Sequence, residues 1–303
     1  GQTVGDFDND GRLDWYVTSV HSETPPPDNP GNMLYMSQGD HVFIESSIAA
    51  GVNDGGWGWG TIAVDLDHDT WLDILEVNGR PAKGSEWINE RGKLFHNQGG
   101  AMFTEIAYDA GFDHTGEGRG LVYLDADNDG DLDILVATNA GKLAYYRNET
   151  LNPGNWLRLS LDTGSNPLLA PDGFGARVVV TLPGGASYQR FVSGSPSYLA
   201  TSELAVHFGL GAAGVVDELR VEWAKGPSTV LSNVGVNQHL TITAPPLGDV
   251  DGDGAVNVLD LIDLLLAWGT CPAPCPPTCP VDINGDCAIN VLDLITLLLN
   301  FGS

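Results

Sequence analysis

Basic residues are scarce in this chain: 13 Lys and Arg stand against 40 Asp and Glu, a formal net charge of −27. A surface that binds a polyphosphate backbone needs clustered Lys and Arg, so this balance argues against a nucleic-acid partner. Long apolar runs are missing too; no stretch of about 18 apolar residues is present to cross a bilayer as a helix. Cysteine is confined to Cys271, Cys275, Cys279 and Cys287, inside one proline-rich stretch. Their spacing is a poor match to a zinc ribbon. An even number in a small loop-rich segment favours two disulfides and an oxidising compartment, with the pairing left open. Catalytic signatures are lacking as well. No Gly-x-Ser-x-Gly elbow and no His-Glu-x-x-His run occurs, so no catalytic residue is assigned.

What the chain has in excess is aspartate at fixed spacing. Three stretches place carboxylates at relative positions 1, 3, 5 and 9: Asp6, Asp8, Asp10 and Asp14; Asp65, Asp67, Asp69 and Asp73; Asp125, Asp127, Asp129 and Asp133. Oxygen donors at alternate positions of a tight loop wrap a Ca²⁺, with the backbone carbonyl of position 7 (Arg12, Trp71, Asp131) as a further ligand. Like charges so close repel one another in water, and solvated acidic turns are the competing reading. Three copies in register, each followed by an apolar strand, favour calcium. Twenty of the 40 acids lie in five such loops, so the acidity reads as ligand demand.

The loops belong to longer repeats. Asp6 to Asp65 is 59 residues and Asp65 to Asp125 is 60. Leu34–Gly39 pairs with Leu94–Gly99, Val42–Glu45 with Met102–Glu105, and Ala50–Val52 with Ala110–Phe112. Each unit holds about four short strands joined by Gly, Asn and Asp turns, the size of a propeller blade. Residues 1–150 thus resemble FG-GAP/VCBS repeats, the calcium-bearing blades of integrin α propellers. Thr70 stands where the loop glycine is expected, which predicts a strained second turn. Two full units and a partial one do not close a ring, and further blades are expected upstream of Gly1.

Residues 152–244 lose the acidic loops and alternate as strands, notably 156–161, 176–182, 219–223 and 240–242. An antiparallel, sandwich-like β domain with one buried face per sheet is predicted. The runs Gly173–Val178, Ser197–Leu199, His207–Gly211 and Val216–Leu219, followed by Trp223, resemble the ASPIC/UnbV domain. That family joins this domain to FG-GAP repeats in secreted, cartilage-acidic-protein-like chains, so the resemblance implies an extracellular protein and fixes its architecture better than its activity.

Residues 247–303 follow a short linker at Pro245-Pro246 and contain two near-copies 33 residues apart. Asp249, Asp251, Asp253, the Ala255 carbonyl, Asn257 and Asp260 form one oxygen set. Asp282, Asn284, Asp286, the Ala288 carbonyl, Asn290 and Asp293 form the other. Positions 1, 3, 5, 7, 9 and 12 match an EF-hand loop, with Asp in place of the final Glu. Each loop leads into one amphipathic helix, with Gly269 and Gly302 as expected C-caps. The segment resembles a type I dockerin, which implies a protein partner of the cohesin kind docked on the helices. It departs at Val258-Leu259 and Val291-Leu292, where dockerins carry small polar residues, and at Cys287, which replaces the loop glycine. A self-contained cap is the alternative.

The expected fold is therefore mainly β: a partial β-propeller, a β-sandwich-like domain and a small helical EF-hand pair. The expected protein is a secreted, calcium-binding adhesion or binding protein. Its alternatives are an accessory subunit of a polysaccharide-degrading, cellulosome-like assembly, or an enzyme whose catalytic part lies upstream. Trp57 and Trp59 are candidates for a carbohydrate or extracellular-matrix ligand, against packing between blades. His68 is expected to face solvent and His207 to pack in a strand.

Overall fold

The computed structural model describes residues 1–22, 31–80, 87–151, 153–194, 196–271, 279 and 281–303. It is mainly β. β1 (Gln2–Gly5), β2 (Asp14–Val17), β3 (Met33–Ser37) and β4 (Phe43–Glu45) form an antiparallel meander, followed by the short α1 (Ser47–Ala50). β5 (Gly58–Val64), β6 (Asp73–Asn78), β7 (Lys93–Asn97) and β8 (Phe103–Glu105) repeat it. β9 (Gly118–Leu124), β10 (Asp133–Thr138) and β11 (Ala144–Tyr146) make a third, three-stranded sheet. In each, the acidic loop is the hairpin between the first two strands.

The three sheets stack like blades, with β1, β5 and β9 adjacent along the inner edge. Phe7, Tyr16, Leu34, Ile74, Phe95 and Phe103 fill the space between the first two blades. Ile62, Leu75, Val77, Leu94, Phe112 and Ile134 fill the space between the second and third. The middle blade is therefore covered on both faces, and every residue of β6 is buried. Its counterpart β2 shows alternate burial, because one face of the first blade is open. No closed ring forms among the described residues.

The second unit is a two-sheet sandwich. β12 (Asn155–Asp162) lies between β17 (Val206–Gly211) and β20 (Gln238–Thr243). β13 (Arg177–Thr181), β14 (Ser187–Phe191), β18 (Val215–Glu222) and β19 (Thr229–Gly235) form the opposing antiparallel sheet. Leu157, Leu159, Val178, Val180, Phe208, Leu219 and Val221 alternate inward from both sheets into one core. The expectation of a purely antiparallel domain is corrected here: β20 pairs with β12 in parallel. From β12 the chain visits the other sheet twice, through β13 and β14 and, after returning as β17, through β18 and β19, before β20 enters beside β12. Between β14 and β17 a hairpin of β15 (Pro196–Ser197) and β16 (Ala200–Thr201) reaches the inner edges of the blades.

α2 (Val258–Leu266) and α3 (Val291–Leu299) pack against each other over Val256, Leu264, Ile283, Ile289 and Leu297. Both begin with a full capping box, Asn257 with Asp260 and Asn290 with Asp293. The helices end at Ala267 and Asn300, two residues short of the glycines expected as C-caps. Cys271 and Cys279 form a disulfide, and Cys287 is disulfide-bonded as well. Cys275 lies outside the described residues.

Candidate metal loops

The first three loops share one backbone path. Position 4 (Asn9, His68, Asn128) and position 6 (Gly11, Thr70, Gly130) all take positive φ, which turns the chain tightly around the position-1 aspartate. Asp6 accepts the Asp10 and Gly11 amides at 3.0 Å each. Asp65 accepts those of Asp69 and Thr70 at 3.1 and 3.0 Å. Thr70 holds φ 86, a conformation a β-branched residue adopts only under strain.

Position 9 behaves differently from the expectation of a shared ligand cluster. Asp14 receives the Phe7 and Ser37 amides, Asp73 those of Leu66 and Asn97, and Asp133 those of Ala126 and Asn148. Each carboxylate thus braces its loop to the third strand of its own blade or, for Asp133, to the segment just after it. Burial pushes Asp14 and Asp73 up to about 7, against the pull of those amide bonds.

Carboxylate oxygens converge within 4.8 Å in two of these loops, Asp6, Asp8 and Asp10 in the first and Asp125, Asp127 and Asp129 in the third. In the second, Asp67 and Asp69 converge with His96 instead. His96 lies 3.0 Å from Asp67 and is pushed up to about 9, chiefly by that bond. Burial is the largest influence on Asp67 and raises it, but the His96 hydrogen bond, the His96 charge and backbone amides together outweigh it and the net shift is downward. His96 escaped sequence reasoning because its counterpart in the first repeat is Met36; in the third, Arg147 takes the same place and lies 2.9 Å from Asp127 and 3.4 Å from Asp129.

The position-7 residues also use their side chains. Arg12 pairs with Asp10, and Asp131 stands 3.6 Å from His68 Nε2. His68 is not solvent-facing as expected: it is fully buried, because the sandwich closes over it. Its ring lies 4.9 Å from that of His207, which is itself buried and contacts the Gly130 carbonyl at 2.9 Å.

In the C-terminal pair, Asp249, Asp251 and Asp260 converge, as do Asp282, Asp286 and Asp293. Asp260 ties the loop to the helix by accepting from Val250 and Asn257 at 2.6 and 2.7 Å. Asp293 does the same with Asn284 and Asn290. Asn257 and Asn290 serve as N-caps, accepting from Leu259 and Leu292. Asp253 receives the Ala255 amide and Asp286 that of Ala288. Cys287 takes φ 71 at the glycine position.

These donor sets fit a hard cation. Four are carboxylate-only, the chemistry that selects Ca²⁺ or Mg²⁺ over softer metals. Asp125 is only 7% exposed, and its Oδ1 has no hydrogen-bond partner. An orphaned carboxylate oxygen on a residue grouped with two further aspartates fits a ligand position. Burial pushes Asp6, Asp65 and Asp249 upward, the electrostatic deficit that a cation would remove. The second loop fits less well, because an imidazole stands among its oxygens.

The tryptophans are engaged in packing. Trp57 and Trp87 meet edge-on at 4.9 Å with Arg80 over Trp57. Trp59 packs on Tyr198 and under Arg119.

Comparison with known proteins matches residues 6–76 to an FG-GAP-like repeat and residues 164–247 to ASPIC and UnbV. The chain is distantly related to cartilage acidic protein 1. It is 28% identical to the human protein over 238 residues, covering 75% of this chain and 33% of that one. For the mouse protein the figures are 27% over 190 residues, 61% and 28%. The chain spans about a third of the length of these curated relatives. Among solved structures, a type II cohesin–X–dockerin complex from Acetivibrio cellulolyticus aligns with TM-score 0.27 and 22% identity. It covers 50% of this chain and 97% of that one. A second mutant of that complex gives 0.25 and 20%. At such scores the likeness carries no argument about fold or partner.

Proposed function

We propose that this chain is a non-enzymatic, calcium-dependent binding protein of the extracellular space whose C-terminal helices seat a protein partner. The observation that carries the docking half is a duplicated apolar face. Val258, Leu259, Ile262, Leu265, Leu266 and Trp268 lie exposed on or just beyond α2, and Val291, Leu292, Ile295, Leu298, Leu299 and Phe301 repeat them on α3. The match is quantitative: Val258 and Val291 are 56% and 53% exposed, and Leu266 and Leu299 both 80%. The helices pack on each other through Leu264 and Leu297, yet each leaves this second apolar side uncovered, the kind of surface a protein contact uses. The partner this suits is an apolar protein surface, and the dockerin resemblance supports a cohesin-like one.

The calcium half is supported by the donor chemistry of the loops. Ca²⁺ would be held by Asp6, Asp8 and Asp10, by Asp125, Asp127 and Asp129, and by the two late sets. Its contribution is to neutralise carboxylates that the fold has brought together. An extracellular setting is supported by the Cys271–Cys279 disulfide and by the distant relation to cartilage acidic protein 1.

Two measurements test the reading. Calorimetric titration of the full chain should show calcium bound at the early and late loops. Pull-down on immobilised cohesin domains should retain the full chain and lose it when residues 247–303 are removed. Equal retention of both would overturn the docking half.

A further inference from the structure

The sandwich sits on the three early loops and touches the position-1 aspartate of each. Gln189 Nε2 donates to Asp6 Oδ2 at 3.1 Å. Arg158 Nη1 stands 3.8 Å from Asp125 Oδ2, and Arg190 lies within electrostatic reach of Asp65 and Asp6. Main-chain bonds complete the seat: the Gly154 amide to the Asp67 carbonyl at 3.0 Å, and the Gly211 amide to the His68 carbonyl at 2.8 Å. At Gly209 the fit leaves no room for a side chain, because a Cβ would lie 2.1 Å from Asp65 Oδ2 and 2.4 Å from the His68 Cα. Trp156 lies against Gly130 of the third loop in the same way.

We propose that the sandwich is the outer wall of the early metal loops, so that cation occupancy and sandwich docking are one linked equilibrium. This inference rests on the calcium reading above. Its physical basis is that the sandwich contacts the carbonyls of Asp67, His68 and Gly130, which point outward only when each loop is wound around its first aspartate. Thirteen carboxylates lie in these loops, and Arg12, Arg147, Arg158, Arg190 and His96 together supply only part of the opposing charge. Without a cation, repulsion unwinds the loops and withdraws the seat. With the sandwich in place, the winding is already fixed and the cation binds to an ordered site. Linkage makes the two effects equal in free energy.

Hydrogen exchange on the full chain, with calcium and with EGTA, tests this directly. The amides of β14 and β17 are expected to lose protection together with the loops when calcium is removed, although neither strand supplies a metal ligand. Loops that lose protection while β14 and β17 keep theirs overturn the inference. Gly209→Val tests the reverse direction. Calcium affinity at the early loops should fall about tenfold, with the two late loops unchanged as an internal control. If this variant fails to fold, the exchange experiment on the parent chain still decides. Equal affinity in parent and folded variant overturns the coupling alone. A parent chain that binds calcium only at its late loops overturns the early-loop reading itself, and the coupling with it.

Discussion

Gln189 donates a hydrogen bond to Asp6 across 183 positions of sequence, joining a strand of the sandwich to the first aspartate of the first loop. Neither residue is informative alone: one is a buried amide in a β-strand, the other the opening residue of an acidic turn. Together they show that the loops are an internal surface, covered by the next unit of the chain. Four predictions follow from that burial and from the groups around it.

Removing calcium should lower the melting temperature sharply. A site held at about 100 times its Kd adds about 2.7 kcal/mol. Each kcal/mol moves Tm by roughly 2–4 °C in a domain of about 150–250 residues. Differential scanning calorimetry with and without EGTA reads this, and an unchanged melting curve would remove calcium from the account.

Thr70→Gly should stabilise the chain. Thr70 occupies φ 86, where Gly11 and Gly130 sit at 85 and 97 in the sister loops. Relief of that backbone strain is worth about 1 kcal/mol, less the entropy that glycine adds to the unfolded chain. Urea unfolding at fixed calcium measures it; a loss of stability would mean that the Thr70 side chain contributes more than its backbone costs.

Glu76 should impose a pH dependence. It is fully buried between the first two blades, hydrogen-bonded to Tyr16 and Asn32, and burial raises it to about 8. Folding thus holds its proton, while the unfolded chain releases it above about 4.5. The stabilisation is complete below that value and is lost as pH rises to about 8. Relative to the parent, Glu76→Gln should flatten the stability profile across this window. Glu76→Leu should cost about 1–3 kcal/mol at pH 5, because Tyr16 and Asn32 lose their acceptor. Parallel profiles for parent and Glu76→Gln would contradict the assignment.

Charge placed on the helix faces should abolish docking only when both faces carry it. Ile262→Glu or Ile295→Glu leaves the duplicate face intact, so binding to a captured cohesin domain should persist within a few fold. The double variant should lose it, with helicity by circular dichroism unchanged. Loss from either single variant would show that the two faces act as one surface.

Much of the site was legible from spacing. Alternate aspartates wind a loop because each accepts amides two to five residues away, a local rule that needs no tertiary partner. The same holds for the capping boxes at Asn257 and Asn290, and for the inward alternation of β12 and β13. Other features were not legible. His68 occupies the loop position of Asn9 and Asn128, and only the overlying sandwich buries it. His96 enters the second loop from β7, where the first repeat has Met36 on β3 and the third has Arg147 just after β11. Asp14, Asp73 and Asp133 match the spacing of ligands, and only the structure shows that each also receives amides from its own blade.

By itself, the sequence determined the repeats, the loops and their donor chemistry, because the period is written in the order of residues and alternate carboxylates act over a few residues of backbone. Only the tertiary structure decided which of those carboxylates are free for a cation and which are engaged. That choice depends on amides, guanidiniums and a glycine brought from distant strands, and burial sets their electrostatics only after the sandwich has closed over the blades.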